Sequence, residues 1–367
     1  MRMRFDRRLL THFEWLVPLL AIGVCGLGML TVYSATYNPG AGTSPLAIRQ
    51  LVWFAAGVAG MLGMLAFDYR RLERHAYVIY AVVLLLVLLV PLVGQVGGGS
   101  RRWLRLGPVA IQPSEFIKLA MVLVCARHFS LTPPAGLGLR DALLPLGLAA
   151  VPALLILLQP DLGSALLLVL LTVTMLVLGG VQMRWLALLA SPVVVLAPFL
   201  WAGLKEYQQK RILTFIDPGQ DPLGAGYHVI QSKIAVGSGM FWGRGFLQGT
   251  QNHLSFLPEQ HTDFIFSVFS EEWGLAGSLV LLGLYLTLLL RGAWIAARAR
   301  NRFGALLTLG VFTIVFWQVV VNVGMVTGLM PVVGIPLPLF SYGGSSMLCL
   351  LLGVGLVMNV SMRRFLF

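Results

Sequence analysis

Leu257-Pro258-Glu259-Gln260-His261-Thr262-Asp263-Phe264-Ile265-Phe266, followed by Ser270-Glu271-Glu272-Trp273-Gly274, is the densest cluster of ionisable side chains beside a long apolar segment. Polar groups bordering a bilayer are costly to keep there, which makes such a cluster a functional candidate. Glu259, His261 and Asp263 alternate with uncharged residues until the apolar run begins at Phe264, and Pro258 ends any helix arriving from upstream. The pattern predicts a loop over 257–263 feeding a membrane helix, with Asp263 at the first turn. A carboxylate there can cap free amides at the positive end of the helix dipole. Held at the membrane surface, it can instead serve as a general base.

Four other stretches carry usable chemistry. Gly97-Gly98-Gly99-Ser100 precedes Arg101 and Arg102, and Gly-rich backbone beside paired guanidiniums can approach and hold a phosphate. The plainer alternative is a flexible loop with its arginines on lipid headgroups. In Gln112-Pro113-Ser114-Glu115, Glu115 lies three residues before Lys118, so the two share a helix face and can pair, for function or as a structural clamp. Gln159-Pro160-Asp161-Leu162-Gly163-Ser164 echoes that motif, with Asp161 as its acid near a helix start; helix-capping grammar explains the echo equally well. Finally, Ser341-Tyr342-Gly343-Gly344 leads from an uncharged, Pro-containing loop into the last apolar run. Free amides at such a helix start suit phosphate or hydroxyl groups, although a re-entrant turn would leave the same pattern.

These groups need a scaffold, and composition supplies its class. The chain has 367 residues, 58% hydrophobic and 11% charged, against about 25% charged in a soluble domain. It reads as an all-α polytopic integral membrane protein. Ten apolar segments fall near 15–36, 46–66, 76–94, 114–129, 141–158, 161–179, 184–203, 264–290, 303–328 and 341–361, in one domain spanning 1–367. The first is long for a signal-peptide core and no convincing cleavage site follows it. The loop 204–263, between the seventh and eighth segments, is rich in aromatic residues and is expected to be ordered, with a short amphipathic helix near Tyr227–Val236 and tight turns at Gly237-Ser238-Gly239 and Gly243-Arg244-Gly245.

The net charge of +12 does not call for nucleic acid, because basic residues of membrane proteins gather in cytoplasmic loops. With both termini cytoplasmic, sixteen of the 26 Lys and Arg residues fall inside. Arg101, Arg102 and Arg105 break that rule, which marks their side as one that meets an anion. Cys25, Cys125 and Cys349 all lie in apolar runs and give neither a disulfide framework nor a zinc site.

Taken together, Gly99-Ser100-Arg101-Arg102-Trp103, Gln112-Pro113-Ser114-Glu115, Gln159-Pro160-Asp161-Leu162-Gly163, Leu257-Pro258-Glu259, His261-Thr262-Asp263-Phe264-Ile265-Phe266, Pro336-Leu337-Pro338 and Ser341-Tyr342-Gly343-Gly344 resemble the SEDS family (shape, elongation, division and sporulation) over nearly the whole chain. Asp217-Pro218, Asp221-Pro222-Leu223-Gly224-Ala225-Gly226-Tyr227-His228 and Gln248-Gly249-Thr250-Gln251 are similar to its elongation branch rather than its division branch; Met240-Phe241-Trp242 is a mild variation where relatives often have Gly.

The resemblance implies a peptidoglycan glycosyltransferase of the bacterial cytoplasmic membrane, with its active site on the extracytoplasmic side. It implies polymerisation of lipid II onto an undecaprenyl-pyrophosphate-linked glycan, beside a class B penicillin-binding protein. An α donor link and a β product link ask for one inverting displacement, with a base on the acceptor hydroxyl and positive charge on the leaving pyrophosphate. On that footing Asp263 is the expected base, Arg101, Arg102, Lys118 and Arg211 are the cations for the leaving group, and Glu259 and His261 orient Asp263 or the substrate. A divalent cation (Mg or Mn) could share the role, although no closed ligand set is visible. The rival functions are a lipid II flippase, which would be expected to show internal repeats and midplane charges, and a scaffold that only recruits a synthase.

Overall fold

The structure is a computed structural model that describes residues 13–37, 44–97, 100–107, 109–133, 136–203, 206–217, 219, 225–249 and 261–364. Long apolar runs with few breakers fold as helices, because a bilayer leaves no water to satisfy backbone polar groups. In order they are α1 (Leu16–Ala35), α2 (Pro45–Ala66), α3 (Tyr69–Val93), α4 (Pro113–Leu131), α5 (Leu139–Leu158), α6 (Leu162–Gly179), α7 (Met183–Val195), α8 (Ala197–Gly203), α9 (Glu206–Ile216), α10 (Ala225–Ser238), α11 (Ile265–Ala297), α12 (Arg302–Val326) and α13 (Gly344–Met362). Among the described residues, eight helices are long and apolar enough to cross a membrane: α1, α2, α3, α5, α6, α11, α12 and α13.

The two remaining expected segments differ for physical reasons. α4 carries Glu115, Lys118 and Arg127 yet is packed inside the bundle, with most of its residues buried. The segment expected as one helix over 184–203 is two shorter ones, α7 and α8, interrupted at Leu196. Pro192 lies just before the break and Pro198 just after it, and proline removes a helix amide and restricts the residue ahead of it.

α13 forms the centre of the bundle and α2 its rim: 83% of the spanning window of α13 is buried against 17% of that of α2. The two helices pack closely because small residues let the backbones approach. A Cβ at Gly57 would strike the Leu351 side chain, and one at Gly355 would sit 2.6 Å from the Met61 carbonyl. At the end of the bundle that carries the α3–α4 connection stands a three-stranded antiparallel sheet: β1 (Gln95–Gly97), β2 (Ser100–Leu106) and β3 (Val109–Ile111), in the order β1-β2-β3. A loop was expected there. The strand changes what Arg101 and Arg102 can do, since neighbouring strand residues face opposite ways.

The long connection between α8 and α11 is ordered where it is described, as expected. It holds α9 and α10, and Ser232 on α10 donates to the Val326 carbonyl at 2.7 Å and lies 2.8 Å from Ser267 Oγ, tying α10 to α12 and α11. α11 is broken at Gly274, whose φ of 66° and ψ of −165° are non-helical. The loop 239–245 inserts there: Leu275 and Ala276 donate to the Met240 and Phe241 carbonyls at 2.9 and 3.0 Å, while Arg244 and Gly245 donate to the Glu271 and Glu272 carbonyls at 2.9 and 3.0 Å. All four backbone groups freed by the break are thereby satisfied.

Candidate functional site

Asp263 lies one residue ahead of the N-cap of α11, which is Phe264 and makes no side-chain capping bond. Two features fix its position. Asn322, fully buried on α12, donates through its one amide nitrogen to the Asp263 carbonyl at 2.9 Å and the Ile335 carbonyl at 2.7 Å. Gly334, at φ 74°, leaves room for the carboxylate; a Cβ there would sit 3.1 Å from Asp263 Oδ2. Asp263 is only half-buried, so a substrate can reach it. Asn322 was missed in the sequence because one asparagine in an apolar run carries no motif; its value lies in the two loops it joins.

His261 and the Ser341–Gly344 turn form the adjoining wall. Tyr342 donates its amide to the His261 carbonyl at 2.9 Å, and the two rings meet edge to face with centroids 5.7 Å apart. Gln50, fully buried on α2, holds the turn from behind: its Nε2 donates to the Ser341 carbonyl at 3.1 Å and its Oε1 accepts from the Gly343 amide at 3.3 Å. The Gly343 amide is therefore already engaged. Ser341 Oγ accepts from the Leu337 amide at 2.8 Å, so this hydroxyl shapes the turn.

A cavity of about 720 Å³ opens between the start of α2, the sheet and this turn. Arg49, Trp53, Trp103, Arg105, Thr262 and Tyr342 are among its lining residues, and among the described residues no Asp or Glu is. Arg105 donates to Gln95 Oε1 at 3.4 Å. Arg49 is exposed and makes no hydrogen bond or ion pair among the described residues. Two guanidiniums and three aromatic faces in one wall suit an anion that carries sugar rings.

The expected arginine pair is split. Trp103 and Arg105 line the cavity from β2, whereas Arg101, beyond a register shift between β1 and β2 that makes Arg102 the extra residue, is exposed and outside the lining. Arg102 points the other way. It donates to the Gln159 carbonyl at 3.3 Å and to the Pro160 carbonyl, and lies 3.9 Å from Asp161. Asp161 is the N-cap of α6, accepting from the Ser164 amide at 3.2 Å. Its other oxygen accepts from Gln112 Nε2 at 3.3 Å, and the Gln112 amide donates to Ser345 Oγ at 3.0 Å. The two Gln-Pro motifs thus touch each other. They also reach the seat of Asp263: a Cβ at Gly163 would sit 2.7 Å from the Val333 carbonyl, one residue from the Gly334 that seats Asp263.

Glu115 and Lys118 pair at 2.8 Å and are both buried on α4, where Cys349 of α13 donates to the Glu115 carbonyl at 3.3 Å. Arg211, on α9, lines a small crevice with Met330, Pro331 and Val332, which lead into the 333–335 turn. Glu259 lies outside the described residues, as do Gly98 and Gly99. Among the described residues no three His, Cys, Asp or Glu side chains converge on one point; Mg²⁺ held by one carboxylate and substrate phosphates needs no such cluster.

A polytopic helical membrane protein with a half-buried aspartate beside a cationic, aromatic cavity is the class that fold and site define. Residues 14–365 match the FtsW/RodA/SpoVE family of cell cycle proteins, and the chain belongs to it. It is 44% identical over 340 residues to the peptidoglycan glycosyltransferase MrdB of Escherichia coli (strain K12), covering 91% of each chain. It is 33% identical over 427 residues to the peptidoglycan glycosyltransferase RodA of Treponema pallidum (strain Nichols), covering 96% of this chain and 98% of that one. Among solved structures it is similar to a chain of a peptidoglycan synthase complex that coordinates polymerization and crosslinking (34% identity, TM-score 0.81, 97% and 99% of the two chains). It is also similar to the rod shape determining protein RodA of Thermus thermophilus (32% identity, TM-score 0.72, 97% and 98%).

Proposed function

We propose that the chain is a peptidoglycan glycosyltransferase that polymerises lipid II by inverting transfer, with Asp263 as general base. The observation that carries the reading is the cavity: its cationic, aromatic wall ends at Thr262, so the anion site adjoins a half-buried carboxylate. The acceptor is the free 4-hydroxyl of the lipid II N-acetylglucosamine. Asp263 takes its proton as the oxygen attacks the anomeric carbon of the growing glycan. The bond to the undecaprenyl pyrophosphate breaks, and the negative charge of the leaving group develops where Arg49 and Arg105 can meet it. Asn322 and Gln50 supply rigidity, since each ties a loop of the site to a membrane helix. A positioned base is worth about 10²–10⁴-fold in rate.

The same reading puts the cavity on the extracytoplasmic side and both termini in the cytoplasm, in keeping with the excess of basic residues at the other end of the bundle. It takes a class B penicillin-binding protein as partner, by analogy with the synthase complex to which the chain is similar. Glycan-strand formation from lipid II by the purified protein tests it. Asp263→Asn keeps the size and capping ability of the side chain but not its basicity, and should polymerise at least about a hundredfold more slowly at unchanged thermal stability. Near-normal polymerisation by that variant would remove Asp263 as the base.

A further inference from the structure

Far from the cavity, α11 carries a second ordered group of cations that the glycosyltransferase reading does not use. Trp294 lies thirty residues beyond the N-cap of the helix, well past its break at Gly274. Three guanidiniums surround its ring: Arg298 at 3.8 Å from the centroid, Arg364 at 5.2 Å and Arg291 at 5.9 Å. Arg291 comes from α11 and Arg298 from its C-cap, and Arg364 is brought in from just past the end of α13.

Two other arginines at this end are committed to groups of the protein itself. Arg302 donates to the Thr132 and Gly179 carbonyls, and Arg363 bonds Asn359 and pairs with Asp68 at 3.7 Å. Arg291 and Arg298 have only the indole among the described residues. Like charges gathered on one ring repel, and an anion between them relieves that repulsion.

The surface leading to the cluster says which anion. Leu286, Leu290, Trp294 and Arg298 follow at four-residue spacing along α11, and both leucines are well exposed, at 57% and 61%. Such a stripe is apolar where acyl chains run, aromatic at the bilayer boundary and cationic at headgroup depth. The geometry points to a binding site for an anionic phospholipid, whose phosphodiester sits among Arg291, Arg298 and Arg364 while its acyl chains lie along Leu286 and Leu290. The Trp294 ring orients the two α11 guanidiniums, so the phosphate meets a preformed fork rather than a diffuse patch.

The test uses the full chain in nanodiscs of phosphatidylcholine containing a minor fraction of phosphatidylglycerol. Retained lipid is counted by native mass spectrometry. The wild-type protein should retain phosphatidylglycerol over phosphatidylcholine by on the order of tenfold, and the double variant Arg291→Gln with Arg298→Gln should lose most of that preference. Arg70→Gln with Arg71→Gln, which removes two exposed cations from the same end of the bundle, should keep it. An unchanged preference in the first variant, or an equal loss in the second, overturns the site in favour of a diffuse basic surface.

A photoreactive phosphatidylglycerol on wild-type protein gives a readout independent of the variants' folding. Its crosslinks should map to 286–298 and be competed by phosphatidylglycerol but not by phosphatidylcholine. Labelling spread evenly over the lipid-facing helices overturns the proposal, and so does competition by a soluble acidic polypeptide at equal charge, which would assign the cluster to a protein partner.

Discussion

Two groups of carboxylates flank the start of α11, and the protein treats them in opposite ways. Asp263 lies just before the helix, half-buried, with its backbone clamped by Asn322 and its carboxylate over a glycine. Glu271 and Glu272 lie less than three turns further on and are fully enclosed. Ser34 of α1 donates to Glu272, and Arg244 lies 3.9 Å from Glu271. The inserted loop 239–245 covers them, and a Cβ on Gly249 would sit 3.0 Å from Glu271 Oε2. Sequence marks the glutamates as equally conspicuous. Burial separates them: a base must reach substrate, whereas an enclosed, bonded carboxylate fastens one segment to another.

The loss expected for Asp263→Asn is the largest break in that comparison, because it alone removes proton-accepting capacity. Asn322→Leu comes next. It leaves the Asp263 and Ile335 carbonyls without the Asn322 donor and frees the Asp263 carboxylate to shift. A displacement near 1 Å can cost about a hundredfold, so kcat should fall by about ten- to a hundredfold, and Asn322→Gln should fail to rescue it because the amide is displaced by a methylene. A kcat within about twofold of wild type in folded Asn322→Leu would show that Asp263 is held by something else.

Arg49→Gln with Arg105→Gln tests the cavity. Loss of two charge-assisted contacts to a pyrophosphate should raise KM for lipid II by about tenfold or more with thermal stability unchanged, since both side chains are exposed. An unaltered KM would move the anion elsewhere, with Arg101 the next cation along β2.

Glu272→Ala should behave in the opposite sense to Asp263→Asn. It leaves a buried Ser34 hydroxyl without its acceptor, at a cost of about 1–3 kcal/mol. Chemical and thermal unfolding should show that loss while activity per folded molecule stays within about threefold. A stable but inactive Glu272→Ala would erase the distinction between the two carboxylate groups. The smallest effect is expected for Arg102→Ala. Its bonds go to the 159–161 corner from a partly exposed position, so stability should fall by about 1 kcal/mol with little change in KM. A large KM effect with no stability loss would return Arg102 to the substrate site.

Much of the scaffold is legible in residue order alone. An apolar run in a bilayer has almost no alternative to a helix, so segment positions follow composition closely, and the exceptions carry their own cause, as with Pro192 and Pro198 on either side of the break between α7 and α8. Capping by Asp161 and the i,i+3 pairing of Glu115 with Lys118 are also local, and both stand as the spacing predicts. The Arg101–Arg102 pair misleads for an equally local reason. Adjacent residues in a loop can converge on one phosphate, but in a strand they diverge, and β2 is set by pairing with β1 and β3 rather than by its own sequence.

What no stretch of sequence contains is the company each side chain keeps. Gln50 lies 291 residues from Ser341, and Asn322 lies 59 from Asp263. Arg49 and Arg105 become neighbours of one cavity only when α2 and the sheet stand on either side of the Tyr342 turn. Whether a carboxylate is enclosed or accessible is likewise decided by which loop lands on it. Local periodicity reports the solvent that each segment meets; accessibility and charge pairing depend on distances through space, which only the packed bundle sets.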